Sequence, residues 1–188
     1  MFIPSRDECI ELQRQFDMPG NIRRHSLLVA EVALFIASGL NADGSRLDMQ
    51  VIEAGALLHD IGKAYGLNSG ENHAAIGAGM LEGVVAPAVA QIVAEHITLD
   101  SSQVAGPITE SLVVNYSDKR VKHDLVVSVE ERYKDLIERY AKEPEHVRLL
   151  LEKLDLYITL ERTIFSRLPI MPDGPEIMGI SIDHPKVN

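Results

Sequence analysis

Four positions carry side chains from which this sequence could build a reaction centre: His25, His59, Asp60 and Asp118. Imidazole and carboxylate are the groups that bind divalent ions and exchange protons near neutral pH. His25 falls one turn before Leu28 and Val29, on the apolar side of a helical stretch. His59 and Asp60 close the run Ala56-Leu57-Leu58-His59-Asp60-Ile61-Gly62-Lys63, and Asp118 follows the apolar run at Val113-Val114. An ionised carboxylate beside a core face is costly unless it is paired or bound to a cation. Three helices that each turn a His or Asp inward are what a metal site between helices needs. Taken singly, each residue also has a structural explanation. A His on an apolar face is commonly a hydrogen-bonded core residue, Asp60 suits a last helical turn in contact with water, and Asp118 has Lys119, Arg120 and Lys122 beside it. Order and context together argue for a metal.

Three segments, Asn21-Ile22-Arg23-Arg24-His25-Ser26, Leu57 to Lys63, and Ser117-Asp118-Lys119-Arg120, together resemble the HD-domain superfamily of metal-dependent phosphohydrolases. The resemblance is to members in which His-Asp is followed by Ile-Gly, and it covers roughly residues 19–140. It implies that His25, His59, Asp60 and Asp118 hold a first ion. His73, in Glu71-Asn72-His73-Ala74-Ala75, and His96, in Ala94-Glu95-His96-Ile97, match the binuclear branch. There the residue matching Asp60 bridges two ions, and those matching His73 and His96 hold the second. Some relatives carry paired histidines near the latter point, whereas this chain has His96 alone. A single ion, with His73 and His96 lining the substrate pocket, is the open alternative.

Such ligands suit one or two ions of Fe, Mn, Co, Ni or Zn better than Mg. A bound ion lowers the pKa of its water to roughly 7–9, and the resulting hydroxide can attack phosphorus in line. A bridging Asp60 would hold two ions about 3.5–4 Å apart. The activity implied is hydrolysis of a phosphate ester or anhydride in a small molecule, a nucleotide or dinucleotide, with Asp60 and Lys63 as catalytic residues. Lys63, Arg24 and Arg120 are the expected contacts to substrate phosphate; Lys63 equally suits a cation at a helix C-terminus. Of Lys119 and Arg120, one is expected to orient Asp118. The Gly-Tyr-Pro triplet of cyclic-dinucleotide phosphodiesterases is absent, and Ile61-Gly62-Lys63-Ala64-Tyr65 stands where stringent-response hydrolases carry an acidic pair. His123 reads as a surface residue, and His146 and His184 fall outside the motif region. The alternative function is a non-catalytic metal- and nucleotide-binding sensor or regulatory module.

The elements that must position these groups are helical. Apolar residues make up 46% of the 188 residues, enough for a real core, and with aromatics at 5% and no Trp that core must be aliphatic. One domain over 1–168, followed by an irregular Pro-rich tail over 169–188, is the expected organisation. Capping patterns at Ser5, Ser45 to Asp48 and Ser128 start helices, and further helices are expected over 22–40, 49–61, 71–82, 87–96, 109–120 and from Pro144. Loops are expected at 66–70 and 97–107. Leu125 to Val129 is β-branched but lacks an obvious partner strand, so the fold class is all-α. The last long helix should carry a stripe of Val147, Leu150, Leu151, Leu154 and Ile158. A net charge of −10 disfavours a nucleic-acid partner and suits a small phosphorylated one. The single cysteine, Cys9, read as core-facing, fits a reducing compartment. Leu27 to Leu40 is interrupted by Glu31 and too short to span a bilayer, and no secretory signal is evident. A cytoplasmic protein is expected; covering the pocket and forming a homodimer are open roles for the tail.

Overall fold

The structure, a computed structural model, describes residues 1–182, with backbone only at 67–69. Its helices are α1 (Arg6–Gln15), α2 (Gly20–Ala42), α3 (Met49–Leu58), α4 (Lys63–Ser69), α5 (His73–Leu81), α6 (Pro87–Glu95), α7 (Ser101–Ala105), α8 (Glu110–Asp118), α9 (Val129–Tyr140), α10 (Pro144–Phe165) and α11 (Pro175–Met178). One antiparallel hairpin, β1 (Val121–Lys122) with β2 (Leu125–Val126), joins α8 to α9. Helices account for 65% of the chain, so the fold is all-α.

Side-chain caps set where the helices begin. Ser5 and Glu8 form a reciprocal capping box, and Asp48, Asn72, Thr109 and Ser128 each accept from backbone N–H groups of the first turn. Pro87 and Pro144 occupy first-turn positions, where a missing N–H costs nothing. The core is aliphatic. Leu28, Val32, Ile36 and Leu40 of α2 are fully buried against Ile52, Ala56 and Leu57 of α3 and Val113 and Val114 of α8. Each such side chain contributes about 1.5–3 kcal/mol of transfer free energy. By length and hydropathy α2 passes for a membrane span, yet 56% of its most apolar window is buried inside the fold. Cys9 is also buried, which pushes its thiol up to about 12. Gln13 of α1 donates to the Leu57 carbonyl at 2.7 Å, satisfying an orphan acceptor in the last turn of α3.

Several elements depart from expectation for local reasons. The loop expected at 66–70 is instead mostly helical, as part of α4, which stops at Gly70, whose φ of 76° suits glycine. Asp100 and Gln103 form a capping box that starts the short α7 inside the expected 97–107 loop. The β-branched run after Leu125 does find a partner: Val121 pairs with Val126 and Lys122 with Leu125, across a turn in which His123 has φ 58°. Phe35 is 37% exposed, so the buried face of α2 runs through Ile36 and not through Phe35. In α10 the buried residues lie late, at Tyr157, Leu160, Ile164 and Phe165, while Leu151 is exposed.

The tail is tied down as far as residue 182. Ile177 of α11 is fully buried, and Ile170, Ile180 and Ile182 pack against the core. The anchor is Arg120, which is itself fully buried. Its Nε donates to the Val127 carbonyl at 2.7 Å, its Nη1 to the Tyr116 hydroxyl at 2.7 Å, and its Nη2 to the Pro172 carbonyl at 2.7 Å; Glu161 supplies the counter-charge at 3.3 Å. The expected phosphate contact at Arg120 is therefore corrected: every donor is engaged with the protein interior. His184 lies outside the described residues. Arg120→Met should cost about 3–5 kcal/mol of stability by stranding buried acceptors and Glu161. Urea unfolding measures that loss, and metal content should stay at the wild-type level.

Candidate metal centre

Five of the six expected ligands stand at or beside helix ends, where turns and backbone contacts fix them. His59 is the C-cap of α3, with Asp60 next to it; His73 is the first residue of α5; His96 caps the C-terminus of α6; Asp118 is the last residue of α8. His25 enters from the first turns of α2. All but His73 are buried, and His73 is partly so.

Two glycines let these ends meet. A Cβ on Gly62 would lie 2.4 Å from the His73 carbonyl oxygen and 2.5 Å from the Gly77 nitrogen. Gly62 has ordinary right-handed backbone angles (φ −82°, ψ −3°), so it is close approach that requires the glycine. Gly77 is crowded from the opposite side, with Val93 Cγ1 3.0 Å from where its Cβ would stand. On the α6 side, Asn115 donates to the carbonyls of Glu95 and Thr98, at 3.0 and 2.6 Å, and so pins the turn that carries His96.

The hydrogen bonds at the outer ring nitrogens set the chemistry. His25 Nδ1 lies 3.2 Å from the His123 carbonyl, His59 Nδ1 2.7 Å from that of Ala56, and His96 Nδ1 2.7 Å from that of Val93. A carbonyl only accepts, so each Nδ1 donates, and in the neutral ring each Nε2 keeps a lone pair. Those lone pairs point at further acceptors. His25 Nε2 is 2.9 Å from Asp118 Oδ1; His59 Nε2 is 3.4 Å from Asp60 Oδ2 and 3.7 Å from Asp118 Oδ1. On the other side of the same carboxylate, Asp60 Oδ1 faces His73 Nε2 at 3.3 Å and His96 Nε2 at 3.5 Å, and these two nitrogens are 3.1 Å apart.

Such convergence of acceptors asks for a cation. Ligands about 2.0–2.2 Å from one ion lie roughly 2.8–3.6 Å from one another, and all but the 3.7 Å separation of His59 from Asp118 fall in that range. His59 Nε2 is buried and makes no hydrogen bond among the described residues, so the donor set fits a divalent ion on chemistry as well as spacing. Two clusters qualify, His25-His59-Asp60 and Asp60-His73-His96, and Asp60 belongs to both.

The protonation preferences agree. Burial alone would raise Asp60, but the charge of His59 beside it holds its carboxyl well below the usual carboxylate range. Asp118 is likewise pushed up by burial and drawn well below that range by Lys119, His25 and His59. Burial opposes a charge on His59, yet Asp60 and Asp118 outweigh it and bring the ring to about 9. At His96 burial dominates and the ring is shifted down. Two fixed negative charges that draw a proton onto a buried ring are a site that attracts positive charge.

A cavity of about 320 Å³ opens onto this cluster, lined by His25, Asp60 and Lys63 together with Arg24, Arg132 and Arg139. Lys63 Nζ is 2.6 Å from Asp60 Oδ2, and Arg24 stands at the rim, paired with Asp124 at 3.3 Å. Lys119 pairs with Asp118, the orienting role left open between it and Arg120. The expected substrate contacts Lys63 and Arg24 thus meet at one opening, and Arg120 does not. A larger cavity of about 620 Å³ lies elsewhere, between Asp48, Gln91, Glu95 and Glu110; it contains no imidazole and its acidic rim repels anions. Arg132, Arg139 and His123 were not singled out as site residues, since 130–132 reads as a solvated helix face. The signal was the spacing of Arg132, Asp135 and Arg139, which puts all three on one face of α9.

The HD domain family model matches residues 22–142. The chain therefore belongs to the HD domain family, whose members are typically metal-dependent phosphohydrolases. It is also similar to two proteins named tRNA (cytidine(56)-2'-O)-methyltransferase. The Picrophilus torridus protein is 30% identical over 163 residues, 81% of this chain and 46% of that protein. The Thermoplasma volcanium protein is 36% identical over 97 residues, 50% of this chain and 26% of that protein. The chain spans about half or less of the length of these curated relatives. No solved structure matches it.

Gly62→Ala should push α5 outward and move His73 away from Asp60. Metal retained through Asp60, His73 and His96 should fall while that held through His25, His59 and Asp118 persists, as elemental analysis of the purified variant would show.

Proposed function

We propose that this chain is a metal-dependent phosphohydrolase of the His-Asp-Ile-Gly subgroup, which adds water across a P–O bond of a small phosphorylated molecule, a nucleotide or dinucleotide. The observation that carries the reading is Asp60: one buried carboxylate shared by two imidazole clusters at the floor of a cation-lined cavity. His25, His59, Asp60 and Asp118 would hold one ion, and Asp60, His73 and His96 a second. When bound, these ions supply Lewis acidity, lowering the pKa of water and withdrawing charge from phosphoryl oxygens. The chain's own cations do the rest. Lys63 stands where it can hold a phosphoryl oxygen over Asp60, and Arg24 can draw the substrate in at the rim. An overall charge of −10 makes this concentration of cations local to the cavity, and favours a small anion over a nucleic-acid strand.

A second reading is a non-catalytic module that binds metal and nucleotide. It draws support from the relatives, which are longer and are named for methyl transfer to tRNA, so the matching segment there sits within proteins named for another activity. The two readings part in one assay. Phosphate release is followed across nucleoside mono-, di- and triphosphates and dinucleotides, with Mn, Co, Fe and Mg in turn. The hydrolase reading expects turnover of at least one substrate, supported better by Mn, Co or Fe than by Mg. Metal-loaded protein that binds nucleotides but releases no phosphate from any of them would establish the module instead.

A further inference from the structure

Asp135 is buried at 6% exposure on α9, and three cations converge on it. Arg139 Nε lies 2.9 Å from its Oδ1, Arg132 Nη1 3.2 Å from its Oδ2, and Lys122 Nζ 3.5 Å from its Oδ1. Arg139 Nη2 also reaches His123 Nε2 at 2.8 Å, and the carbonyl of that residue accepts from the ligand His25. His123 holds φ 58°, an uncommon conformation for a non-glycine residue, so a strained turn is maintained at the junction between the arginines and the metal cluster. Both arginines line the cavity above Asp60. Arg132 Nε is buried and has no hydrogen-bond partner among the described residues. A buried donor without an acceptor is costly, and an anion's oxygen in the cavity would satisfy it.

Four cations line the cavity, and two of them are paired with carboxylates of the same lining, Lys63 with Asp60 and Arg24 with Asp124. Arg132 and Arg139 place a pair of guanidinium groups on the α9 wall. We infer that Arg132 and Arg139 bind a phosphoryl group other than the one cleaved, that Asp135 and His123 position them, and that the substrate is a small molecule bearing at least two phosphoryl groups. This rests on the phosphohydrolase reading for the word cleaved, but the anion site itself does not. Asp135 touches no ligand; it acts through the two arginines.

The test is calorimetric titration with methylenebisphosphonate, which is not hydrolysed at its P–C–P link, and with methylphosphonate as the single-group probe. Wild-type protein should prefer the bisphosphonate by at least about tenfold, the scale of one charge-assisted hydrogen-bond pair. Arg139→Gln, at a half-exposed residue, should reduce that preference toward unity. Asp135→Asn gives a test of sign. It removes a negative charge beside the cavity, so charge alone would tighten anion binding, whereas lost positioning weakens it about tenfold. Arg148→Gln, which removes an exposed cation of α10 that is not part of the cavity lining, should keep the wild-type preference, and metal content should be equal in all four proteins. A preference retained in both Arg139→Gln and Asp135→Asn, or tighter bisphosphonate binding by Asp135→Asn, overturns the inference. If the wild-type preference collapses in the variants while the wild type hydrolyses nothing, the anion site stands and the hydrolase reading falls.

Discussion

The carboxylate of Asp60 is the point on which the rest of the structure depends. It is 1% exposed, its two oxygens face different imidazole clusters, and Lys63 closes the remaining approach from the cavity. A buried anion costs several kcal/mol unless its environment compensates, and here that environment must come from separate helices. The aliphatic packing of α2, α3, α6 and α8 supplies the scaffold energy. What it holds in place is a set of imidazole and carboxylate groups close enough together to share a metal ion.

The helix ends are arranged to keep that set rigid. Backbone carbonyls of Ala56 and Val93 fix the rings of His59 and His96 from within their own helices, while the His25 ring depends on a carbonyl almost a hundred residues away, in the turn at His123. That single contact links the metal cluster to the hairpin, and through Arg139 to α9. The hairpin is therefore more than a connector. Arg120, immediately before it, locks the same region to the tail, so the wall of the cavity and the C-terminal segment share one buried anchor.

Much of this was legible in the sequence. His25, His59, Asp60 and Asp118 converge as their places beside apolar helical runs suggest, and His73 and His96, which only the family resemblance implied, join them. The single hairpin was missed because two-residue strands leave almost no periodicity, and Val126 and Val127 read equally as core residues of a coil. The need for glycine at 62 is not legible locally: a helix stop and a close backbone approach call for the same residue, and only the position of α5 separates them. Arg120, expected at substrate phosphate because it neighbours Asp118, turns inward, and nothing local reveals that Glu161 and Pro172 meet it there. The run 130–132 reads as a solvated helix face, and nothing local reveals that Asp135 is buried beside Arg132.

Replacing the shared oxygen ligand tests the central arrangement most directly. Asp60→Asn keeps the size of the side chain and removes its charge, and metal stoichiometry of the purified protein can be compared with that of Asp118→Asn. If Asp60 serves both clusters, Asp60→Asn loses metal from both, while Asp118→Asn, whose carboxylate faces His25 and His59 but not His73 or His96, retains what Asp60, His73 and His96 hold. Wild-type metal content in Asp60→Asn would contradict the shared carboxylate.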